Sequence, residues 1–280
     1  MPREDEPREA SERYGIGLAR AFGGAVIFAV PLMMTMEMWS LAFSMNRVRL
    51  LLFIAVNLGI LVGLSYFAGF EKTFRWRDDV MDALAAFGVG VITSAAMLFL
   101  FAVLTFDMSW SEIVGKIALQ SVPASLGAML GRKQLGAEQD TEAEEERKRT
   151  AGYGGELFLM LAGALFLAFN VAPTEEMILI SFQMTPWHAL ALGAASIAVL
   201  HVFVYAIGFS GQERLPEHGS LGRTFVHFTL AGYGIALLMS LSVLWTFGRT
   251  EDVALAQVAM MTVVLSFPAA LGAATARLVI

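Results

Sequence analysis

Cysteine is absent from the 280 residues, which excludes disulfides, thiolate metal sites and a cysteine nucleophile. Charge is scarce too. Only 16% of the residues are Asp, Glu, Lys or Arg, against 57% hydrophobic, and a mean hydropathy of +0.65 is far too high for a soluble domain. There are four histidines. No HExxH pair, phosphate-cradling loop, GxSxG elbow or dinucleotide fingerprint occurs, so no enzyme, catalytic residue or organic cofactor is expected. The chain also has no basic domain or basic and aromatic surface motif, which argues against a nucleic-acid partner. The charged tail, residues 2–13, lacks the short apolar core and small-residue cleavage site of a secretory signal.

What remains is a succession of apolar runs of roughly 18 to 27 residues, long enough to cross a bilayer as helices at 1.5 Å per residue. They are Ile16–Phe43, Leu50–Phe70, Val80–Phe106, Ile113–Leu130, Leu157–Phe182, Ala189–Phe209, Phe225–Phe247 and Val253–Val279. Near-continuous Ala, Leu, Val, Phe and Gly argues against barrel strands, which alternate and are shorter. The expected fold is therefore an all-α polytopic membrane protein with eight transmembrane helices, its surroundings a lipid bilayer. Arg3, Arg8, Arg13, Lys72, Arg75, Arg77, Arg132, Lys133, Arg147, Lys148, Arg149, Arg214 and Arg223 all fall on one side of eight spans. That side should be cytoplasmic, with both termini inside and the protein in a prokaryotic cell membrane. Arg47, Arg49 and Arg249 fall on the other.

The chain repeats itself. A shift of 139 positions carries Tyr14-Gly15 onto Tyr153-Gly154, Gly24-Ala25 onto Gly163-Ala164 and Tyr66 onto Tyr205. Roughly three in ten positions agree, and such self-similarity fixes architecture before any motif does. Later in each half, Gly88 and Gly90 resemble Gly232 and Gly234, and Ser121, Pro123 and Gly127 resemble Ser266, Pro268 and Gly272. These glycines are expected to allow close helix contact. Two parallel four-helix repeats follow, since an even number of spans per half makes both enter from the same side. The organisation is a charged tail (1–15), a first repeat (16–131), a charged linker (132–152) and a second repeat (153–280).

Within the repeat frame Thr35, Glu37 and Met38 fall on Thr174, Glu176 and Met177. A carboxylate at membrane depth is costly unless paired, hydrated or protonated, so Glu37 and Glu176 are candidate ion-binding residues. As members of continuous spans they would lie at matching depths, about 10 Å below the outer boundary. There they could face each other across the repeat interface, with Glu175 as an outer contributor. Such hard oxygen ligands suit calcium, another divalent metal or a proton. Pro31 and Pro173 each remove an amide donor near these acids, and transporters use unwound turns of this kind as ion sites. Asn170, at the position equivalent to Pro31, could add an oxygen. Thr35 and Thr174 would line the pathway, and His201 could relay protons toward the cytoplasm.

Met33, Met34, Met36 and Met38 invite a copper reading, but four methionines so close on a helix cannot face one point, and packing accounts for them better. Asn57, Ser94, Gln120 and Ser121 are expected to make interhelical hydrogen bonds. The function these features point to is cation transport, by channel or proton-coupled carrier, with an inorganic cation as partner. A homodimer would bring four four-span units together. A membrane sensor or scaffold is the alternative, and an intramembrane acid-catalysed enzyme a more remote one. In overall layout and in Pro173-Thr174-Glu175-Glu176-Met177, the chain resembles an uncharacterised microbial family described only as integral membrane proteins. That resemblance covers nearly the whole length and implies eight spans but no activity.

Overall fold

Inside a bilayer every backbone N–H and C=O has to be satisfied by the chain itself, and an apolar run meets that demand as a helix. The computed structural model describes residues 6–68, 76–134, 141–205 and 225–279. These form α1 (Glu6–Met33), α2 (Met36–Ser44), α3 (Arg47–Ala68), α4 (Trp76–Leu100), α5 (Trp110–Gln134), α6 (Thr141–Val171), α7 (Glu175–Gln183) and α8 (Pro186–Tyr205). A π-helical turn, Phe225–Leu230, then leads into α9 (Ala231–Thr246), and α10 (Leu255–Val279) follows. Among the described residues there is no strand, and 8 helices are long and apolar enough to cross a membrane. The chain divides into two compact units, Met1–Phe43 with Leu50–Asp140, and Ser44–Arg49 with Thr141–Ile280.

Two spans are shorter than their apolar runs. The first spanning segment is Gly15–Met33 and the fifth is Gly152–Val171. Each is followed by an interruption and then a helix of 9 residues, α2 or α7. A helix of that length rises only about 13 Å and cannot cross a bilayer alone. Hydropathy cannot see the interruption because α2 and α7 are as apolar as the spans they follow. The third span also ends early, at Leu100 rather than Phe106. There the Leu98 carbonyl accepts both Val103 N–H at 3.0 Å and Leu104 N–H at 3.1 Å, and Ala102 takes a φ of 57°. Phe70 and Phe209, the expected ends of the second and sixth spans, lie outside the described residues, as do Lys72, Arg75, Arg214 and Arg223. In the expected linker, residues 141–151 are helical and end in a kink at Gly152, whose φ is 58°.

Element boundaries recur at the shift read from the sequence. Helices α2 and α7 begin at Met36 and Glu175 and end at Ser44 and Gln183, while α3 and α8 begin at Arg47 and Pro186; every pair is 139 apart. Helices α5 and α10 begin at Trp110 and Leu255 and end at Gln134 and Val279, both 145 apart.

Packing inside each unit follows the same rule. In the first, α1 meets α5 through Gly24, where an added Cβ would stand 2.5 Å from the Gly131 Cα and would also collide with the Gly127 carbonyl. In the second, α6 meets α10 through Gly163, where an added Cβ would stand 2.5 Å from the Ala276 Cβ and would collide with the Gly272 carbonyl. Small residues let helix backbones touch where lipid offers no hydrophobic drive for association. Gly90 gives a third such contact, with an added Cβ 2.7 Å from the Ser125 amide nitrogen. At Gly232 an added Cβ would collide with the Met160 side chain, whereas at Gly88 and Gly234 it would meet nothing within 4 Å, so these two do not serve the close contact expected of them.

Gly24→Ala and Gly163→Ala should each destabilise the protein by about 1–3 kcal/mol. Gly59→Ala, where an added Cβ meets nothing, should be close to neutral. Thermal unfolding of the purified variants in detergent checks the contrast; equal unfolding temperatures would show that the glycine crossings are not tight.

Candidate functional site

The interruption after α1 is built from side chains that take over the duties of missing backbone donors. Pro31 sits in the last turn of α1 and has no N–H. Thr35 donates its hydroxyl to the Pro31 carbonyl at 2.8 Å, while its amide turns to the Leu32 carbonyl at 3.1 Å. Trp39 Nε1 donates to the Met33 carbonyl at 2.7 Å, and Gln120 Nε2, from α5, donates to the Leu32 carbonyl at 3.2 Å. A helix end normally leaves four carbonyls without an intrahelical donor. Here each of the last three has one.

The interruption after α6 uses the same logic with other residues. Pro173 lacks the donor, and Thr174 gives both its hydroxyl, at 2.8 Å, and its amide, at 3.1 Å, to the Val171 carbonyl. Asn170 Nδ2 donates to the Phe166 carbonyl at 2.7 Å, one turn back on α6. Arg249 reaches across from the segment after α9 and donates to the Pro173 carbonyl at 2.9 Å.

The acids start the helices that follow. Glu37 is the second residue of α2 and is half-buried; Glu175 and Glu176 are the first two residues of α7 and are exposed. The acids thus lie beyond the interruptions and not within the continuous helices expected for the first and fifth spans. A carboxylate in the first turn lies beside the free N–H groups at the positive end of the helix dipole. Beside them, Met38 and Met177, again 139 apart, are the buried anchors of α2 and α7 at 1% and 2% exposure. Of the remaining methionines in the cluster, Met33 is buried while Met34 and Met36 are exposed, so they do not converge on a metal.

Glu37 belongs to the first unit and Glu175 and Glu176 to the second. Among the described residues no group of three or more His, Asp or Glu side chains is gathered as a metal site. His201, on α8, shares a 3.0 Å hydrogen bond with the Thr229 hydroxyl in the π-helical turn and stacks edge-on to Phe225, so the structure places it with that turn rather than with the acids. The Thr35 and Thr174 hydroxyls and the Asn170 amide group all donate to helix carbonyls, which gives them a part in shaping the interruptions.

The chain matches, over residues 17–280, the model of a family described as putative integral membrane protein (DUF2391). It belongs to that family. No curated protein and no solved structure matches.

In this DUF2391 chain several further polar residues make contacts not singled out from the sequence. Lys116, on α5, is 6% exposed and directs its ammonium to Glu112 at 2.9 Å, the Val103 carbonyl at 3.3 Å and the Met108 sulfur at 3.6 Å. It also lies 5.1 Å from the centre of the Phe43 ring. Its three donors are thereby used to hold the 101–109 segment against α5. In that segment Asp107 accepts a side-chain hydrogen bond from Thr105 that keeps its carboxyl below the usual carboxylate range. The i,i+4 spacing of Glu112 and Lys116 was a readable clue; the tertiary partners were not. In the second unit Arg49 pairs with Glu251 and sits 4.8 Å over the Trp245 ring.

Arg249→Ala should loosen the start of α7 by removing the charge-assisted bond to Pro173. Hydrogen exchange at residues 174–177 should speed up by about tenfold, in line with a bond to a charged group worth roughly 1.5 kcal/mol or more. Unchanged exchange would assign Arg249 no part in holding the interruption.

Proposed function

We propose that this chain is a membrane cation-transport protein, without enzymatic activity, in which Glu37 and Glu176 attract cations to the interruption of each unit. The observation that carries this reading is the recurrence, at equivalent positions, of a broken spanning helix followed by a short helix with a glutamate in its first turn. Discontinuous helices expose backbone dipoles at membrane depth, which is how transporters of many kinds coordinate ions. Carboxylates at the mouth of a pathway raise the local cation concentration. With one or two acids per interruption and no group of three gathered among the described residues, the arrangement suits passage of a cation better than retention of a divalent metal in a closed cage. Channel and carrier share this chemistry. Following the Lys and Arg distribution, we place both termini in the cytoplasm and both interruptions toward the opposite face of the cell membrane.

A second reading is favoured by one specific observation. First-turn carboxylates stabilise a helix through its dipole, so Glu37, Glu175 and Glu176 could serve α2 and α7 alone, in a membrane scaffold without transport.

Reconstitution separates the two. Purified protein in liposomes should pass a monovalent cation down its gradient, and Glu37→Gln with Glu176→Gln should cut the initial flux by about tenfold, within the range that electrostatic focusing supplies. Absence of flux under any ion gradient or voltage, with correctly folded protein, would leave the scaffold reading in its place.

A further inference from the structure

The first unit has a polar interior that the interruption does not use up. Asn57 on α3, Thr93 and Ser94 on α4, and Gln120, Ser121 and Ser125 on α5 are all 3% exposed or less. Ser125 donates its only hydroxyl hydrogen to the Val122 carbonyl at 2.8 Å, so toward Asn57 it can only accept. The 3.0 Å contact between the two therefore fixes the Asn57 amide with its NH2 toward Ser125 and its Oδ1 turned away. Gln120 is fixed in the same manner, because the Leu32 carbonyl it bonds can only accept. Both amide oxygens are buried, can only accept, and have no donor among the described residues.

Two hydroxyls join them. Buried or part-buried Ser121, Ser196, Thr262 and Ser266 each donate to a carbonyl three or four residues back in their own helix. Thr93 Oγ1 and Ser94 Oγ make no hydrogen bond to any described residue. They stand three and four residues beyond Gly90, whose backbone touches Ser121 and Ser125, and so share the α4 face that meets α5. From Gln120 to Ser125 the rise along α5 is about 7.5 Å. Along α5, Gln120 and Ser125 thus bracket a short polar track, Gln120 bonded to the last turn of α1, three residues before Thr35, and Ser125 to Asn57.

We infer that this track binds a monovalent inorganic cation, partly stripped of its water, as it moves inward from the interruption that bears Glu37. The ligands are neutral. A divalent ion would keep its charge uncompensated in an apolar interior, and a proton would find no titratable group among the four. Amide and hydroxyl oxygens are the hard, uncharged donors that replace the hydration shell of Na⁺ or K⁺ in selective pores. The second unit lacks the set: the residues equivalent to Asn57, Gln120 and Ser125 are Ser196, Leu265 and Ala270. The inference rests on the cation-transport reading and adds to it the class of ion and the unit that carries it.

Cation binding can be measured without transport. Thermal unfolding of the detergent-purified chain is followed in NaCl, KCl and choline chloride at equal ionic strength. The unfolding temperature should rise and saturate with Na⁺ or K⁺ but not with choline, since a ligand bound only by the folded state stabilises it. Gln120→Met with Asn57→Ser should raise the half-saturating concentration by about tenfold or abolish the rise. Thr93→Val with Ser94→Ala, which changes volume little, should do likewise and replaces the first pair if that does not fold. Equal unfolding temperatures in all three salts, or an unchanged cation dependence in a folded variant, would overturn the track and leave its oxygens to water alone. A cation-dependent rise without liposome flux overturns transport but not the site; flux without such a rise overturns the site but not transport.

Discussion

Every helix that stops within reach of a bilayer has carbonyls to satisfy, and the way α1 and α6 meet that demand governs the rest of this structure. At the end of α1 the donors are a hydroxyl from Thr35, an indole from Trp39 and an amide from Gln120. At the end of α6 they are both donors of Thr174 and the guanidinium of Arg249 at Pro173. With those bonds made, the chain can turn and start a new helix whose first residues are acidic. The charges therefore sit at helix N-termini, where they are stabilised, rather than inside a continuous apolar cylinder, where they would be costly.

The two units solve this problem with related but unequal means. The threonine and the anchoring methionine are common to both, as are the glycine crossings of α1 with α5 and α6 with α10. Beyond these the polar partners diverge. The first unit draws on α5, through Gln120 and the Lys116 cluster; the second draws on the segment after α9, through Arg249, and on Gln257, which donates to Ser181 of α7 at 2.7 Å. The close backbone contacts, which tolerate no added atom, are thus common to both units, whereas the hydrogen-bonding side chains differ.

Much of this could be read in advance, for definite reasons. Long apolar runs must become helices in lipid, so the spans and the all-α class followed from composition. Pro31 and Pro173 marked the interruptions because each lacks a donor. The extent of the first and fifth spans was misjudged because Met36–Ser44 and Glu175–Gln183 are apolar enough to pass as their continuation. On that reading Glu37 and Glu176 fall inside continuous spans, whereas they belong to the short helices α2 and α7. Gln120 and Arg249 could not be assigned from the sequence, since their partners lie elsewhere in the chain: Gln120 is 88 residues from Leu32 and Arg249 is 76 from Pro173. The Asn57, Thr93 and Ser94 oxygens needed the packing of α3, α4 and α5 to show which of their hydrogen bonds are left unmade.

We propose, as the centre of this reading, that both interruptions open to water on the same face of the membrane. Because the natural chain has no cysteine, single cysteines report without background. Met36→Cys and Glu175→Cys occupy equivalent first positions of α2 and α7, both exposed; a membrane-impermeant maleimide applied to one side of sealed vesicles should label both from that side and neither from the other. Met38→Cys and Met177→Cys, at buried positions, should resist it. Labelling of positions 36 and 175 from opposite sides, or protection of both from either side, would contradict the account.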